Sequence, residues 1–236
     1  MQNAIPKKKN RVPKAPRAPE RQSRETPAIE RAVERALAQQ RAAYSAEAER
    51  LVQAALALIR ERGQLEPPVA AIVRRARLSN QAFYRHFRSK HELLVAVLDH
   101  GIALLAEYLR TRMEEATTPT ARVEAWIHGM LEQALHPRGA GATRPFALAR
   151  GLLAQHYPEE VTSSEQRLTA LVRDAIDEAR RAGELPGAEP VADAETLYHL
   201  TMGWLEARLG EEELAAPAEA ARLEAFAMAG LRAGSA

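Results

Sequence analysis

The stretch Arg77–Leu94 reads RLSNQAFYRHFRSKHELL, and it gathers three aromatic residues and four cations in a chain whose aromatic content is 5%. At helical spacing its polar and cationic side chains fall on one face: Gln81, Tyr84, Arg85 and Arg88. Phe83 and Phe87 are four residues apart on the opposite face, and we expect both in the core. The pattern predicts a short helix from Asn80 with one buried face and one face suited to hydrogen bonding.

A second helix is predicted to begin directly after this one. Ser89 and Glu92 fit the capping-box pattern S-x-x-E, in which each side chain bonds a backbone N–H at the start of the helix. The apolar side of this helix follows at helical spacing: Leu93, Leu94, Val97 and Leu98. We expect it to continue towards Leu104 and Tyr108.

The helix upstream of the opening stretch is also short. Its inward side is predicted to consist of Val69, Ile72, Val73 and Ala76, with Pro67 or Pro68 seating its start. The turn Arg77-Leu78-Ser79 then leads into the helix from Asn80. Two short helices joined by about three residues, with a cationic face on the second, are typical of a helix-turn-helix.

The other segments have helical periodicity as well. Upstream, we expect a helix over Ile29–Gln40 and a separate one capped by Ser45 and closed by Gly63. Downstream, Pro119 is predicted to open a helix, a glycine-rich loop is expected at His136–Gly141, and four more amphipathic helices follow. No segment alternates as a strand would. The fold class predicted is therefore all-α.

Composition restricts the function. The 236 residues contain no cysteine, which excludes disulfides and thiol chemistry, and no apolar run approaches the roughly 18 residues of a membrane span. Residues 1–28 carry a net charge of +6, whereas the whole chain carries +2. We interpret residues 1–28 as a disordered basic arm, whether a solvated tail or a segment that contacts phosphates. A cytoplasmic protein is expected.

The run PVAAIVRRARLSNQAFYRHFRSKHELL resembles the DNA-binding signature of the TetR family of bacterial transcriptional regulators. The resemblance covers about residues 45–100 and depends on the Phe83–Phe87 run and on Lys90. It implies an N-terminal three-helix helix-turn-helix domain followed by a C-terminal helical domain for ligand binding and dimerisation. The predicted divisions are an arm at 1–28, an accessory helix at 29–44, the DNA-binding domain at 45–100 and the effector and dimerisation domain at 101–236.

The resemblance also implies roles for single residues. The base contacts in the major groove are expected from Asn80, Gln81 and Arg85. The phosphate contacts are expected from Ser79, Tyr84, His86, Arg88 and Lys90. The residue types agree, since Asn and Gln can pair with adenine and Arg with guanine, and a helix start with a lysine suits a phosphate.

Three positions depart from the family pattern. Arg77 stands where the family usually has a turn glycine, so it must adopt a conformation unfavourable for a side chain. Ala82 replaces a threonine that often binds phosphate. Pro67 or Pro68 replaces a small polar cap. Arg74, Arg75 and Arg77 are candidates to supply the phosphate attraction that Ala82 does not provide.

The resemblance further implies a homodimer and a small-molecule effector, most consistent with a repressor released from its operator. The dimer interface is predicted at Leu200, Trp204, Leu223, Phe226, Ala227 and Gly230. The effector pocket is predicted from Trp126, Met130, Phe146, Leu152, Tyr157, Leu171, Met202 and Trp204. This mostly apolar set favours a hydrophobic effector over a sugar or a phosphate ester.

Other classes of function are less well supported. His91-Glu92 begins like a zinc-binding H-E-x-x-H motif, but position 95 is Val95, and no nucleophile elbow, P-loop or dinucleotide motif occurs. We therefore expect no enzymatic activity, no metal and no cofactor. The alternative is a helical adaptor that binds a protein partner or an anionic membrane through the basic arm and the Ile29–Gln40 helix. It would leave the cationic face of the helix from Asn80 unexplained.

Overall fold

The computed structural model describes residues 28–63, 65–211 and 213–234. The predicted basic arm, apart from residue 28, lies outside these residues. Within them the chain forms nine α-helices, one 3-10 turn and no strand, which confirms the all-α prediction. The helices are α1 (Ala28–Arg62), α2 (Val69–Ala76), α3 (Asn80–His86), α4 (Lys90–Glu114), α5 (Pro119–Leu131), α6 (Pro137–His156), α7 (Pro158–Arg181), α8 (Pro190–Leu209) and α9 (Pro217–Ala233); the 3-10 turn is Glu132–Ala134.

The first helix is longer than the sequence pattern predicts. α1 runs without a break through 35 residues, so the predicted helix start at Ser45 is wrong. Ser45 is instead an exposed position inside the helix, because the flanking alanines and glutamates all favour helix and nothing there stops it. By its contacts the chain divides into a unit at 1–42 and a larger unit at 43–236. In the described part of the first unit, Ile29, Val33 and Leu37 are exposed.

The predicted helix-turn-helix is present. α2 and α3 are joined through residues 77–79, and Ser79 caps α3 by accepting a hydrogen bond from the backbone N–H of Ala82 at 3.1 Å. The start of α4 is capped in the same way, with Ser89 accepting from the N–H of Glu92. The reciprocal bond reaches one residue further back than predicted, since the Glu92 carboxylate accepts from the N–H of Arg88 at 2.7 Å.

One hydrophobic core holds these short helices together. Phe83 is completely buried and Phe87 nearly so, as predicted, and they pack with apolar residues of α1, α2 and the first turns of α4. Ala82, which replaces the family's threonine, is also buried. A helix of seven residues is too short to be stable alone, so the burial of Phe83 is what keeps α3 in place.

The turn between α2 and α3 has the unfavourable backbone conformation that the sequence predicts. Arg77 has φ 55° and ψ 44°, which is the left-handed region. Its backbone N–H donates to the carbonyl of Arg74, and the next N–H, that of Leu78, donates to Val73. These bonds end α2 and turn the chain into α3, at the cost of a left-handed arginine.

The helices after α4 build a second and larger core. The buried side chains of α5 and α7 include Trp126, Ile127, Val172 and Ile176, and α8 and α9 close over them. The predicted glycine-rich loop at His136–Gly141 is wrong. α6 begins at Pro137 and its first turns contain Gly139 and Gly141, because proline is favoured at the first position of a helix and offsets the low helix propensity of glycine.

α4 connects the two cores. It is 25 residues long, with Leu93 and Leu94 in the first core and Leu109 and Met113 in the second. The predicted continuation to Tyr108 is confirmed. α4 and α5 approach closely, since a side-chain carbon added at Gly129 would lie 2.7 Å from a methyl group of Leu109. In the described residues, no helix is long and apolar enough to cross a membrane.

We expect Arg77→Gly to stabilise the protein, because glycine adopts the left-handed conformation without the penalty of about 1–2 kcal/mol that a side chain carries. Greater freedom of the unfolded chain removes part of that gain, which leaves an increase of about 0.5–1 kcal/mol in the free energy of unfolding. Urea denaturation measures it. Arg77→Ala, which keeps the side-chain carbon, is the matched control and should give no gain. Equal effects of the two substitutions would contradict this explanation of the turn.

Candidate nucleic-acid interface and cavities

The outer face of α3 and the short segment after it present the side chains that the sequence singled out. Those fully on the surface are Asn80, Gln81, Tyr84, Arg85 and Arg88. Tyr84 is 61% exposed although it is a large aromatic residue, and the Arg88 side chain is 93% exposed. An exposed tyrosine among amides and guanidinium groups has no packing role here. The face is chemically suited to hydrogen bonding with another molecule.

A carboxylate from α1 holds the end of this helix. Glu47 accepts hydrogen bonds from the guanidinium group of Arg85 and from Nε2 of His86, the latter at 2.9 Å. The hydrogen bonds from His86 and Arg85 lower the pKa of Glu47. Arg85 therefore occupies a defined position on the exposed face without being withdrawn from it, since half of its side chain remains exposed.

A tyrosine from α1 reinforces this contact. The Tyr44 hydroxyl donates a hydrogen bond to the backbone carbonyl of Arg85 at 2.8 Å. Its ring lies against the His86 imidazole with the ring centres 4.1 Å apart. Neither Tyr44 nor Glu47 was predicted as a site residue. Their spacing of three residues places them on one face of a helix, but their partners are about 40 residues away and no local pattern reveals them.

His86 differs from the role predicted for it. Its side chain is fully buried between Tyr44 and Glu47, and Nδ1 has no hydrogen-bond partner among the described residues. A phosphate cannot reach this imidazole in the conformation observed. The structure therefore assigns His86 a packing and positioning role beside Arg85, and the direct phosphate contact expected from the resemblance is not supported by its placement.

The remaining predicted phosphate residues lie around the exposed face. Ser79 is at the start of α3 and Lys90 at the start of α4, next to the exposed N-terminal turn of each helix. Lys90 forms an ion pair with Glu66, and this hydrogen bond lowers the pKa of Glu66. Arg88 pairs weakly with Glu92, at 3.5 Å. Lys90 and Arg88 are therefore each held near the surface by a carboxylate.

Further positive charge surrounds the turn. Arg74 and Arg77 are exposed and have no ion pair among the described residues, whereas Arg75 pairs with Glu61. Arg74 and Arg77 thus keep a charge that can attract phosphate where Ala82 offers no donor. The interface is a cationic surface built from the turn, the outer face of α3 and the start of α4.

Two neighbouring cavities lie beside α4. The wider is a cleft of about 810 Å³, lined by parts of α1, α4 and α6 and by the 3-10 turn. The inner is a small, largely apolar cavity of about 70 Å³. Five residues line both: Leu98, Ile102, Leu105, Thr143 and Phe146. The cleft has the size of a typical small-molecule site.

The predicted pocket residues are only partly at these cavities. Phe146 lines both and Met202 lines the inner one. Trp126 and Met130 are completely buried in the core, and Leu171 packs against that core. Leu152 is exposed and Tyr157 packs near α4. Periodicity identified apolar faces correctly, but it could not distinguish faces that fill the core from faces that leave a space.

A half-buried group of polar side chains lies beside the inner cavity. Arg150 donates two hydrogen bonds to Glu165, one of them at 3.1 Å, and lies 3.7 Å from Glu206. Burial, and then the neighbouring Glu165, raises the pKa of Tyr198. No local pattern predicted this group, because its members come from α6, α7 and α8. Glu165 thus neutralises Arg150, whereas Oε1 of Glu206 has no hydrogen-bond partner among the described residues.

The predicted interface residues lie on α8 and α9. Phe226 is 71% exposed and forms a shallow surface pocket with Trp204 and Leu223. Trp204, which was also predicted to line the effector pocket, is therefore at the surface instead. Leu200 is half-buried against the core and Gly230 is exposed, whereas Ala227 is buried within the chain's own core. An exposed phenylalanine beside a half-buried tryptophan marks an apolar surface.

No cluster of three or more histidine, cysteine or acidic side chains that could hold a metal ion is found in residues 28–63, 65–211 and 213–234. The histidines considered in the sequence have other partners. His128 lies 3.3 Å from Glu224, and His156 hydrogen-bonds the carbonyl of Leu152.

Comparison with known proteins agrees with the geometry of the N-terminal helices. Residues 51–97 match the profile of bacterial regulatory proteins of the tetR family. The HTH-type transcriptional regulator BetI of Serratia proteamaculans is 31% identical over 83 residues, which cover 34% of this chain and 42% of that protein. BetI of Pectobacterium carotovorum is 34% identical over 83 residues, covering 34% and 43%. The chain spans less than half the length of these relatives.

Solved structures extend the similarity of fold to most of the chain. A TetR-family regulator from Pectobacterium atrosepticum superposes with a TM-score of 0.63 at 24% identity, covering 82% of this chain and 94% of that one. FadR from Bacillus subtilis in complex with stearoyl-CoA superposes with a TM-score of 0.60 at 14% identity, covering 80% and 99%. At these identities the superpositions establish a common fold.

The helix-turn-helix at residues 69–86, followed by a helical domain, places the chain in the structural class of helix-turn-helix proteins. Residues 51–97 are similar in sequence to the tetR family, and most of the chain shares the fold of solved TetR-family regulators.

We expect Glu47→Gln to lower stability at neutral pH, because the amide loses the charge that binds Arg85 and His86. The pKa of Glu47 is lowered from 4.5, so its contribution is complete above pH about 4.5 and is lost as the pH falls through the lowered value. The unfolding temperatures of the wild type and the variant should therefore become equal at acidic pH. Thermal unfolding between pH 7 and pH 3 measures this. Glu49→Gln, on the same helix but without an ion pair in the described structure, should show no such convergence.

Proposed function

We propose that the protein is a sequence-specific DNA-binding transcriptional regulator that acts as a homodimer. α3 enters the major groove, with Asn80, Gln81 and Arg85 at the base edges. Ser79, Tyr84, Arg88 and Lys90 contact the flanking phosphates. His86 supports Arg85 from behind instead of contacting DNA itself.

The observation that carries this proposal is the two-sided character of α3. Its inner side is completely buried through Phe83, and its outer side exposes an arginine that a carboxylate holds in position. A guanidinium group fixed before binding loses less freedom when it pairs with guanine. Packing in the core alone does not explain why Tyr84 and Arg85 are exposed on this helix.

Dimerisation follows from the geometry of DNA. One seven-residue helix contacts only a few base pairs, and two copies related by a two-fold axis read half-sites about 34 Å apart. The exposed surface of Trp204, Leu223 and Phe226 on α8 and α9 is the proposed contact between the two copies. A near-palindromic operator is expected.

The cleft beside α4 is the proposed effector site. α4 begins directly after α3 and forms one wall of both cavities, through Leu98, Ile102 and Leu105. A ligand that displaces α4 changes the separation of the two α3 helices and releases the operator, as in a repressor. Coupling of this kind is reciprocal, so the factor by which the effector weakens operator binding equals the factor by which the operator weakens effector binding.

Binding of the purified protein to fragmented genomic DNA tests the proposal. A regulator protects a few near-palindromic sites at salt concentrations that abolish other binding. The alternative, a helical adaptor acting through residues 1–28 and the Ile29–Gln40 helix, predicts binding to anionic vesicles and no preferred sequence. Retention of vesicle binding without any protected DNA site would favour the adaptor.

Two pairs of substitutions should separate reading of bases from binding of phosphates. Arg85→Ala and Gln81→Ala are each expected to cost about 1–3 kcal/mol at one base pair of the operator and to relax the preference there. Lys90→Ala and Tyr84→Phe should weaken binding to all sequences by similar factors. Competition binding against operator variants measures both. A changed preference in Lys90→Ala, together with an unchanged one in Arg85→Ala, would reverse the assignment.

Phe226→Glu should convert the dimer into a monomer, because it places a charge in the centre of the apolar surface. Loss of a central aromatic contact costs about 2 kcal/mol or more, or at least roughly thirtyfold in the dimer dissociation constant. Sedimentation equilibrium measures this. Leu152→Glu, at another exposed apolar side chain, is the control and should leave the dimer intact. A wild-type monomer with full operator affinity would remove the proposed interface.

A further inference from the structure

Two exposed arginine side chains along the wide cleft are neutralised by no carboxylate of the described residues. Arg60 comes from the last turn of α1 and Arg138 from the first turn of α6, and both line the cleft. Neither forms an ion pair or a side-chain hydrogen bond among the described residues. Most other arginines of the later helices are paired, including Arg122, Arg150, Arg167 and Arg208.

Glu132, the acidic residue in the described lining of the cleft, does not neutralise these arginines. Glu132 accepts a hydrogen bond from the Tyr108 hydroxyl and lies 3.6 Å from Arg112 and 3.8 Å from His136. Burial, together with the bond to Glu132, raises the pKa of Tyr108 to about 12, so this hydroxyl remains a donor to the carboxylate. Arg60 and Arg138 therefore leave the cleft with an uncompensated positive charge.

The other end of the space is apolar. Beyond the shared wall that includes Phe146, the inner cavity is enclosed by Leu153, Leu168 and Leu205 among other side chains. The cation at its wall, Arg150, is bound by Glu165 and does not require a charge from a ligand. The cleft, which is cationic at Arg60 and Arg138, thus adjoins an apolar cavity across a shared wall, and the two define one candidate site.

We propose that this site binds an amphipathic anion. The alkyl chain lies along Leu98, Ile102 and Phe146 towards the inner cavity, and the anionic head lies at Arg60 and Arg138. The proposal names the class of the effector and rests on the proposed function for its regulatory role. It replaces the purely hydrophobic effector that the sequence favoured, since that expectation was based on a pocket lining without Arg60 and Arg138.

Two kinds of ligand share this chemistry: a free fatty acid, with its carboxylate, and a fatty acyl thioester, with the phosphates of coenzyme A. They differ in the size of the head group. Both are distinguished from an uncharged amphipathic molecule of the same chain length, which gains only the burial of its chain.

Calorimetric titration of the full chain with decanoate, decanoyl-CoA and decanol, all below their micelle concentrations, tests the proposal. One of the two anions is expected to bind at least tenfold more tightly than decanol. Preference for decanoate assigns the carboxylate as head group, and preference for decanoyl-CoA assigns the phosphates. Equal affinities for the anions and the alcohol, or no binding of any of the three, would overturn the proposal.

Substitutions connect the preference to the two arginines. Arg60→Gln combined with Arg138→Gln should remove most of the tenfold preference while leaving the affinity for decanol unchanged. Arg62→Gln, two residues from Arg60 on α1 but outside the cleft lining, is the matched control and should keep the preference. If the control and the double variant behave alike, the arginines do not bind the head group.

A third variant tests the path of the chain. Phe146→Ala removes part of the wall between the cavities, so the affinity should rise more for hexadecanoate than for decanoate. Circular dichroism verifies that this variant is folded. A uniform change for both chain lengths would place the alkyl chain elsewhere. These titrations require no DNA, so they test the ligand site independently of operator binding. If the protein proved not to bind an operator, a positive titration would still establish the ligand site.

Discussion

The position of the proposed reading helix depends on the burial of one ring. α3 has seven residues and cannot persist without tertiary support. Phe83 supplies that support by packing completely inside the core formed with α1, α2 and α4. The placement of the residues on the outer face, including Arg85, depends on this burial. If α3 rotated about its axis, Phe83 would leave the core and polar side chains would enter it. The left-handed Arg77 is tolerated because it sets the direction in which α3 leaves the turn.

The cations of the proposed interface are held by carboxylates, and this has a cost as well as a use. Glu47 holds Arg85 and Glu66 holds Lys90. Each pair orders a flexible side chain in advance, yet each acid also repels nearby phosphates. Apart from the bond between Glu47 and the buried His86, exposed ion pairs of this kind are worth little to stability. Their value is therefore in selectivity, because a guanidinium group already bound to a carboxylate gains from DNA only where a base offers a better geometry than the acid does.

Local patterns in the sequence were sufficient for most of the helices and the turn. The capping residues Ser79 and Ser89, the buried faces and the conformation of Arg77 all depend on neighbours within a few positions, so their chemistry is visible in the sequence. The continuity of α1 through Ser45 and the helical start of α6 were missed, because a cap or a glycine pair is only a weak local preference that the surrounding chain can override. Contacts between distant segments could not be predicted, and these include Glu47 with Arg85, Arg150 with Glu165 and the cleft around Arg60. For the same reason the sequence named core residues such as Trp126 and Met130 as pocket lining.

α1 takes part in both of the proposed surfaces. Tyr44 and Glu47 hold the end of α3, while Leu56 and Arg60, three to four turns further along the same helix, line the cleft. At about 1.5 Å per residue, the two places are roughly 20 Å apart on a single unbroken rod. A molecule bound at Arg60 thus has a mechanical connection to Arg85 that does not pass through α4. Occupancy of the cleft can twist or tilt this rod, and the signal then takes the form of a changed orientation of the arginine within one subunit, in addition to any change in the distance between subunits.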